Sequence, residues 1–189
     1  MNNMLFKKPS FIQFLIVFAA VFLLCYYGAL FITGLAIPGG MYSPFAEKYF
    51  NIAAWFRSSL IGGTKVFVAV FDYKTIRTSE YVLRVPGANG IRIVYSCLGF
   101  GVMSFWAAYM VATSATLVKK AAWLLAGVLL IWFINVVRIS LVLIASNKGW
   151  KFPFGWDHHR WFNIAAYLFI FCMMYFFEKN IKQTSLHAG

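Results

Sequence analysis

Four long apolar runs, each bounded by charges, dominate the pattern of this chain. They cover 11–37 behind Lys7 and Lys8, 98–118 closed by Lys119 and Lys120, 121–145, and 161–177 before Glu178, Lys179 and Lys182. An α-helix crosses the hydrocarbon of a bilayer with about 20 predominantly apolar residues, so each run predicts a transmembrane helix. The first run exceeds the roughly 7–15 apolar residues of a signal peptide, and no small-x-small cleavage site follows; it reads as a retained anchor. Trp150, Trp156 and Trp161 cluster at the entry to the last run, where aromatic side chains sit at a membrane–water interface.

The stretch between the first two runs, 38–96, has a different pattern and looks folded. Ser43 followed by Pro44 is a helix start, with a side-chain cap and a proline at the first helical position. Residues 45–60 form an amphipathic pattern suited to a membrane interface, and Gly62-Gly63 reads as its end. A fifth span here would have to bury Arg57 and Lys65. Beyond the glycines, 65–71 is rich in β-branched and aromatic residues. Two similar runs, 81–85 and 91–95, bracket Pro86-Gly87-Ala88-Asn89-Gly90, and Asn-Gly between such runs is a hairpin signal. The pattern therefore predicts an all-α membrane protein, a single integral-membrane domain over 1–189. It has about four transmembrane helices plus an outer-face segment holding an amphipathic helix and a small β-hairpin or meander.

Composition supports lipid as the solvent, since 62% of the residues are apolar in a chain of 189. The formal net charge of +12 raises nucleic acid as a partner, but no Lys/Arg-rich tract exists. Many basic residues flank apolar runs instead, as topogenic charges do, so nucleic acid is excluded. The pairs Lys7/Lys8, Lys119/Lys120 and Lys179/Lys182 fall on one side when four spans alternate, which assigns that side to the cytoplasm. The long loop carries Lys48, Arg57, Lys65, Lys74, Arg77, Arg84 and Arg92. Long loops translocate largely regardless of charge, so the juxtamembrane pairs decide. The expected location is the cytoplasmic (inner) membrane, multi-pass, with 38–96 outside.

Three cysteines with no CxxC spacing give neither a disulfide framework nor a zinc site, and no metal or cofactor motif is found. Cys25 and Cys172 lie inside apolar runs and read as small buried hydrophobes. Cys97 stands where a strand ends and the second run begins. With Ser96 as N-cap, its sulfur falls in the first helical turn, where unpaired N–H groups and the helix dipole favour a thiolate. Gly99 and Gly101 let backbone or substrate approach. Arg138 lies inside the third run, where a charge costs roughly 2.5–3.5 kcal/mol at a span centre. Side chains lean toward a helix N-terminus, which works against snorkelling to the outer headgroups. Asn135, three residues earlier, shares its face. His158 and His159 stand in Gly155-Trp156-Asp157-His158-His159-Arg160 before the last run, with Asp157 a neighbour able to orient one ring. Threading brings Cys97, Arg138 and this loop to the outer face. Arg138 lies about seven residues, roughly 10 Å, inside its run, so a shared site has to be recessed.

At these residues the chain resembles the exosortase/archaeosortase family. The resemblance covers roughly 87–177: Gly90-Ile91-Arg92-Ile93-Val94-Tyr95-Ser96-Cys97, then Asn135-x-x-Arg138 with Ile139, then a histidine opening the last span. Each motif is short; their order, spacing and shared face make the combination specific. Many exosortases read Cys-Ser-Gly where this chain has Cys97-Leu98-Gly99, and larger relatives carry extra N-terminal spans. The resemblance implies that Cys97 is the nucleophile, Arg138 the family arginine, and His159 the third member. His159 is favoured over His158 because Asn163 then occupies the family's small-residue position. It implies a cysteine transpeptidase or peptidase, needing no cofactor. Its partners are membrane-anchored proteins ending in a short motif, a transmembrane helix and a basic tail. Two other classes stay open: a haem- or quinone-binding membrane subunit, which a Soret band would reveal, and a non-catalytic assembly factor, which would tolerate Cys97→Ala.

Overall fold

The computed structural model describes residues 10–39, 41–150 and 158–186, with side chains set aside at 158–163 and 182–186. The chain is mostly helical: α1 Phe11–Ala36, α2 Pro44–Phe50, α3 Ile52–Ala69, α4 Phe100–Ala112, α5 Leu117–Lys148 and α6 His158–Leu186. Three short strands, β1 Ile76–Arg77, β2 Val82–Arg84 and β3 Gly90–Arg92, form an antiparallel sheet in the order β1-β2-β3.

Among the described residues three helical stretches are long and apolar enough to cross a bilayer: Phe11–Ala36, Leu117–Lys148 and Ile164–Ile181. The run expected as a second span is helical only over the 13 residues of α4. At 1.5 Å per residue that is about 20 Å, short of the roughly 30 Å of hydrocarbon. Thr113 is extended and ends α4, and Lys119 and Lys120 fall in the first turn of α5 rather than between two spans. The Lys120 ammonium donates to the Val111 carbonyl at 2.9 Å, meeting one of the unpaired carbonyls at the end of α4.

Local chemistry accounts for most helix ends. Ser10 and Gln13 form a reciprocal capping box, Ser10 Oγ accepting from the Gln13 N–H at 3.2 Å and Gln13 Oε1 from the Ser10 N–H at 3.0 Å. Ser43 and Pro44 start α2, as their sequence predicts. Asn51 separates α2 from α3 and caps the latter, its Oδ1 accepting from Ala54 N–H at 3.1 Å. Gly149, at φ +65°, closes α5 in the left-handed conformation that glycine adopts without a Cβ penalty.

The expected stop at Gly62-Gly63 is not one: α3 runs through both glycines to Ala69, so most of 65–71 is helix rather than strand. The reason is tertiary. A Cβ on Gly63 would lie 2.8 Å from Val136 Cγ2 and 2.9 Å from Trp132 Cζ2, so the glycine lets α3 press onto α5. Trp132 then donates to Ser59 Oγ at 3.1 Å. Small residues at helix crossings serve this purpose where apolar solvent gives no hydrophobic drive. Gly127 does the same between α4 and α5, facing the buried Trp106 indole, which donates to the Trp123 carbonyl at 3.2 Å.

Arg57 is buried rather than interfacial. It pairs with Glu80 and lies 4.1 Å from the centre of the Tyr81 ring, so charge and cation–π partners offset its desolvation. Leu60, Val68, Leu83, Ile93, Cys97, Leu98, Val136, Ile139 and Leu143 make one buried cluster, which joins the sheet to α3 and α5. The other two cysteines depart from expectation: Cys172 is exposed on α6 and Cys25 only half-buried on α1.

Candidate functional site

The hairpin expected around 86–90 is present, with Leu83 opposite Ile91 and Arg84 opposite Gly90. Its turn docks on the end of α5. The Asn89 N–H donates to Asn147 Oδ1 at 3.0 Å, Asn89 Nδ2 to the Ser146 carbonyl at 2.8 Å, and Asn147 Nδ2 back to the Asn89 carbonyl at 3.3 Å. From this anchor β3 leads the chain along α5, away from its C-terminal end.

Cys97 closes a 3₁₀ turn, Tyr95–Cys97, before the helix begins. Its N–H donates to the Val94 carbonyl at 2.9 Å, and the Leu98 N–H to the Tyr95 carbonyl at 3.0 Å. Ser96 is therefore not the N-cap: it is exposed in the 3₁₀ turn, and Gly99 occupies the cap position without a side-chain bond. Cys97 consequently lies just upstream of the first α-helical turn instead of within it. Its side chain is packed, with 9% of the residue exposed. Burial pushes the neighbouring Tyr95 phenol up from its ordinary pKa.

Asn135 connects this turn to α5. Fully buried, it donates from Nδ2 to the Leu98 carbonyl at 3.2 Å. Gly99 beside it has φ +78°, and a Cβ there would meet Asn135 Nδ2 at 2.6 Å. Both conformation and space thus require glycine at this position. The pairing places the Cys97-Leu98-Gly99 turn level with the middle of α5, about 20 Å from the helix end at Lys148. Arg138, one turn along the same face, is buried as well, and so is Ser140, whose hydroxyl donates to the Val136 carbonyl at 2.7 Å. Val136 and Ile139, the neighbours of Asn135 and Arg138, share the buried cluster of Cys97.

Asn135 and Arg138 therefore lie one turn apart on α5, and the turn that carries Cys97 is tied to Asn135 through the Leu98 carbonyl. His158 opens α6, but the side chains of His158 and His159 lie outside the described residues, as does Asp157. Among the described residues no group of three His, Cys, Asp or Glu side chains is arranged to hold a metal ion. Sequence reasoning missed the Leu98 carbonyl as the partner of Asn135. Its only trace is Gly99, whose need for a glycine becomes clear once α5 is in place.

No protein-family model matches the chain, and no solved structure does. A curated protein, Archaeosortase A of Natronomonas pharaonis, is 31% identical over 65 residues, 34% of this chain. The chain matches only 20% of that protein's length. This partial likeness points to a sortase-like membrane protein of the exosortase/archaeosortase kind, at most.

Proposed function

We propose that the chain is a membrane cysteine transpeptidase or peptidase of the exosortase type, acting on the C-terminal sorting signal of membrane-anchored exported proteins. The observation that supports this reading is the bond from Asn135 to the Leu98 carbonyl, which ties the turn carrying Cys97 to the face of α5 on which the buried Arg138 lies. The archaeosortase likeness supports the reaction class.

In this reading His159 accepts the Cys97 proton, with His158 as the alternative base and Asp157 as its support. The thiolate attacks the scissile carbonyl, and the sulfur–carbon bond forms as the carbonyl oxygen becomes an oxyanion. Arg138 stabilises that oxyanion where low dielectric strengthens its charge. Collapse expels the amine leaving group, which takes the proton from the histidine, and an amine or water then resolves the thioester. The membrane is the cytoplasmic one and the site faces its outer side. No cofactor takes part.

The test is co-expression with a reporter ending in a short motif, a transmembrane helix and a basic tail. Cys97→Ala, Arg138→Ala and His159→Ala should each lower processing by about a hundredfold or more. Processing that persists in all three variants removes the site. A second reading, a non-catalytic assembly factor, draws on the tight packing of Cys97 and predicts full biological function of Cys97→Ala.

A further inference from the structure

Three guanidiniums meet at the loop that joins β1 to β2, and one carboxylate answers them. Arg77 wraps the loop: its Nε donates to the Ser79 carbonyl at 3.1 Å, one Nη to the Glu80 carbonyl at 3.1 Å and the other to Ser58 Oγ on α3 at 3.3 Å. With every nitrogen committed to a protein acceptor the plane of the group is fixed, and each Nη keeps a second N–H. Arg57 and Arg92 both lie at the Tyr81 ring, 4.1 Å and 5.6 Å from its centre. Glu80 pairs with Arg57, and among the described residues no carboxylate pairs with Arg77 or Arg92, both exposed. The complement is an oxyanion that accepts from a guanidinium fork. Location selects its source. Ser58 lies one turn along α3 from Trp55, which is 56% exposed, and Phe45, Tyr49 and Phe50 on α2 are exposed too. Such rings collect at membrane–water interfaces, where the neighbouring oxyanions are headgroup phosphates. The segment 38–96 carries seven basic residues against three acidic ones. On the outer side, where the juxtamembrane lysines assign it, that excess has no topogenic use and calls for an anionic partner.

We propose that Arg77 and Arg92 bind the phosphate of an anionic phospholipid in the adjoining leaflet, with Trp55 seated in the interface beside it. Two cations without a protein counter-charge favour a lipid of net negative charge over a zwitterionic one. The site anchors the segment 38–96 to the membrane surface and is independent of the peptidase reading.

The test titrates the full chain in detergent with phosphatidylglycerol labelled on an acyl chain, and with phosphatidylcholine labelled alike. Phosphatidylglycerol should bind about tenfold more tightly. Arg92→Gln, at an exposed side chain that meets the protein at the Tyr81 ring, should weaken phosphatidylglycerol about tenfold without moving the unfolding transition. Arg77→Lys keeps the charge, loses the fork and should weaken it by a similar factor. Arg84→Gln removes the same charge beside the hairpin turn, opposite Gly90, and should change binding by less than about twofold. Equal losses in Arg84→Gln and Arg92→Gln would reduce the patch to diffuse attraction and overturn the site. Equal binding of the two lipids would overturn it as well. Displacement of the lipid by millimolar inorganic phosphate would assign the guanidiniums to a soluble anion and overturn the membrane anchor. Cys97→Ala should bind phosphatidylglycerol as the unaltered chain does, so loss of the peptidase reading leaves this result standing, and the reverse holds.

Discussion

Helices α1 and α5 have the same mean hydropathy, 2.5 over their most apolar stretches, yet none of that stretch is buried in α1 and 50% is in α5. Around α1, Phe11, Ile16, Leu24 and Phe31 all point outward. On α5, Gly127, Asn135, Arg138 and Ser140 are buried. In lipid, apolarity decides whether a helix inserts, but it gives no reason to leave the lipid for the protein interior. Small residues that admit a neighbour, and polar groups that need a partner, decide which helix becomes central. On α5 small and polar positions interrupt the apolar run and are buried, whereas α1 keeps its most apolar stretch outward.

The hardest blow to that contrast comes from the glycines. Gly127→Leu would drive a side chain into Trp106, since a Cβ alone would lie 2.0 Å from its Nε1, whereas Gly34 on α1 has nothing within 4 Å. Gly127→Leu should cost about 3 kcal/mol or more of stability by overpacking, and Gly34→Leu nothing. Unfolding in detergent measures both, and equal losses would end the comparison.

Next comes Asn135→Leu, which strands the buried Leu98 carbonyl and should cost about 1–3 kcal/mol. Thr33→Val on α1 removes a hydroxyl that donates to the Ala29 carbonyl of its own helix and lies beside the Tyr95 phenol, and should cost about 1 kcal/mol or less. Chemical denaturation of the two variants checks the ratio.

A smaller effect concerns the hairpin. Asn89→Ala removes the side-chain bond to the Ser146 carbonyl and Asn147→Ala the two bonds to the Asn89 backbone; because both hold one turn against α5, a double-mutant cycle should show a coupling of about 0.5–1.5 kcal/mol. Independent losses would mean that the turn is not held by α5. Smallest is Ser10→Ala, which removes the cap of α1 for about 0.5–1 kcal/mol and should fray that end alone, as hydrogen exchange at 11–14 would report.

Much of the fold was legible because it rests on local chemistry. The run 11–37 became α1, Ser43-Pro44 opened α2, and Asn89-Gly90 turned a hairpin. What failed depends on neighbours distant in the chain. Gly62-Gly63 reads as a stop until Trp132 and Val136 press against Gly63. The β-branched residues after it pack as helix because Val68 enters the cluster shared with α5. Ser96 looked like a cap, but the chain tightens into a 3₁₀ turn, and Gly99, held by Asn135, begins the helix. Asn135 and Arg138 stood out in the sequence because polarity inside an apolar run is conspicuous; the backbone atom that Asn135 meets was not.

The hairpin turn and the cysteine turn are both tied to α5, at Asn147 and at Asn135, twelve residues apart. About 18 Å of rigid helix separates the two ties, and the nine steps from Asn89 to Leu98 can reach roughly 30 Å, so the segment spans the distance with about 12 Å to spare. The helix thereby acts as a ruler that sets how far the sulfur sits from the sheet. Removing a single residue between 90 and 96 would not merely shorten a loop. It would slip the strand leading to Cys97 by one position and turn the side chains on one side of the deletion to the opposite face.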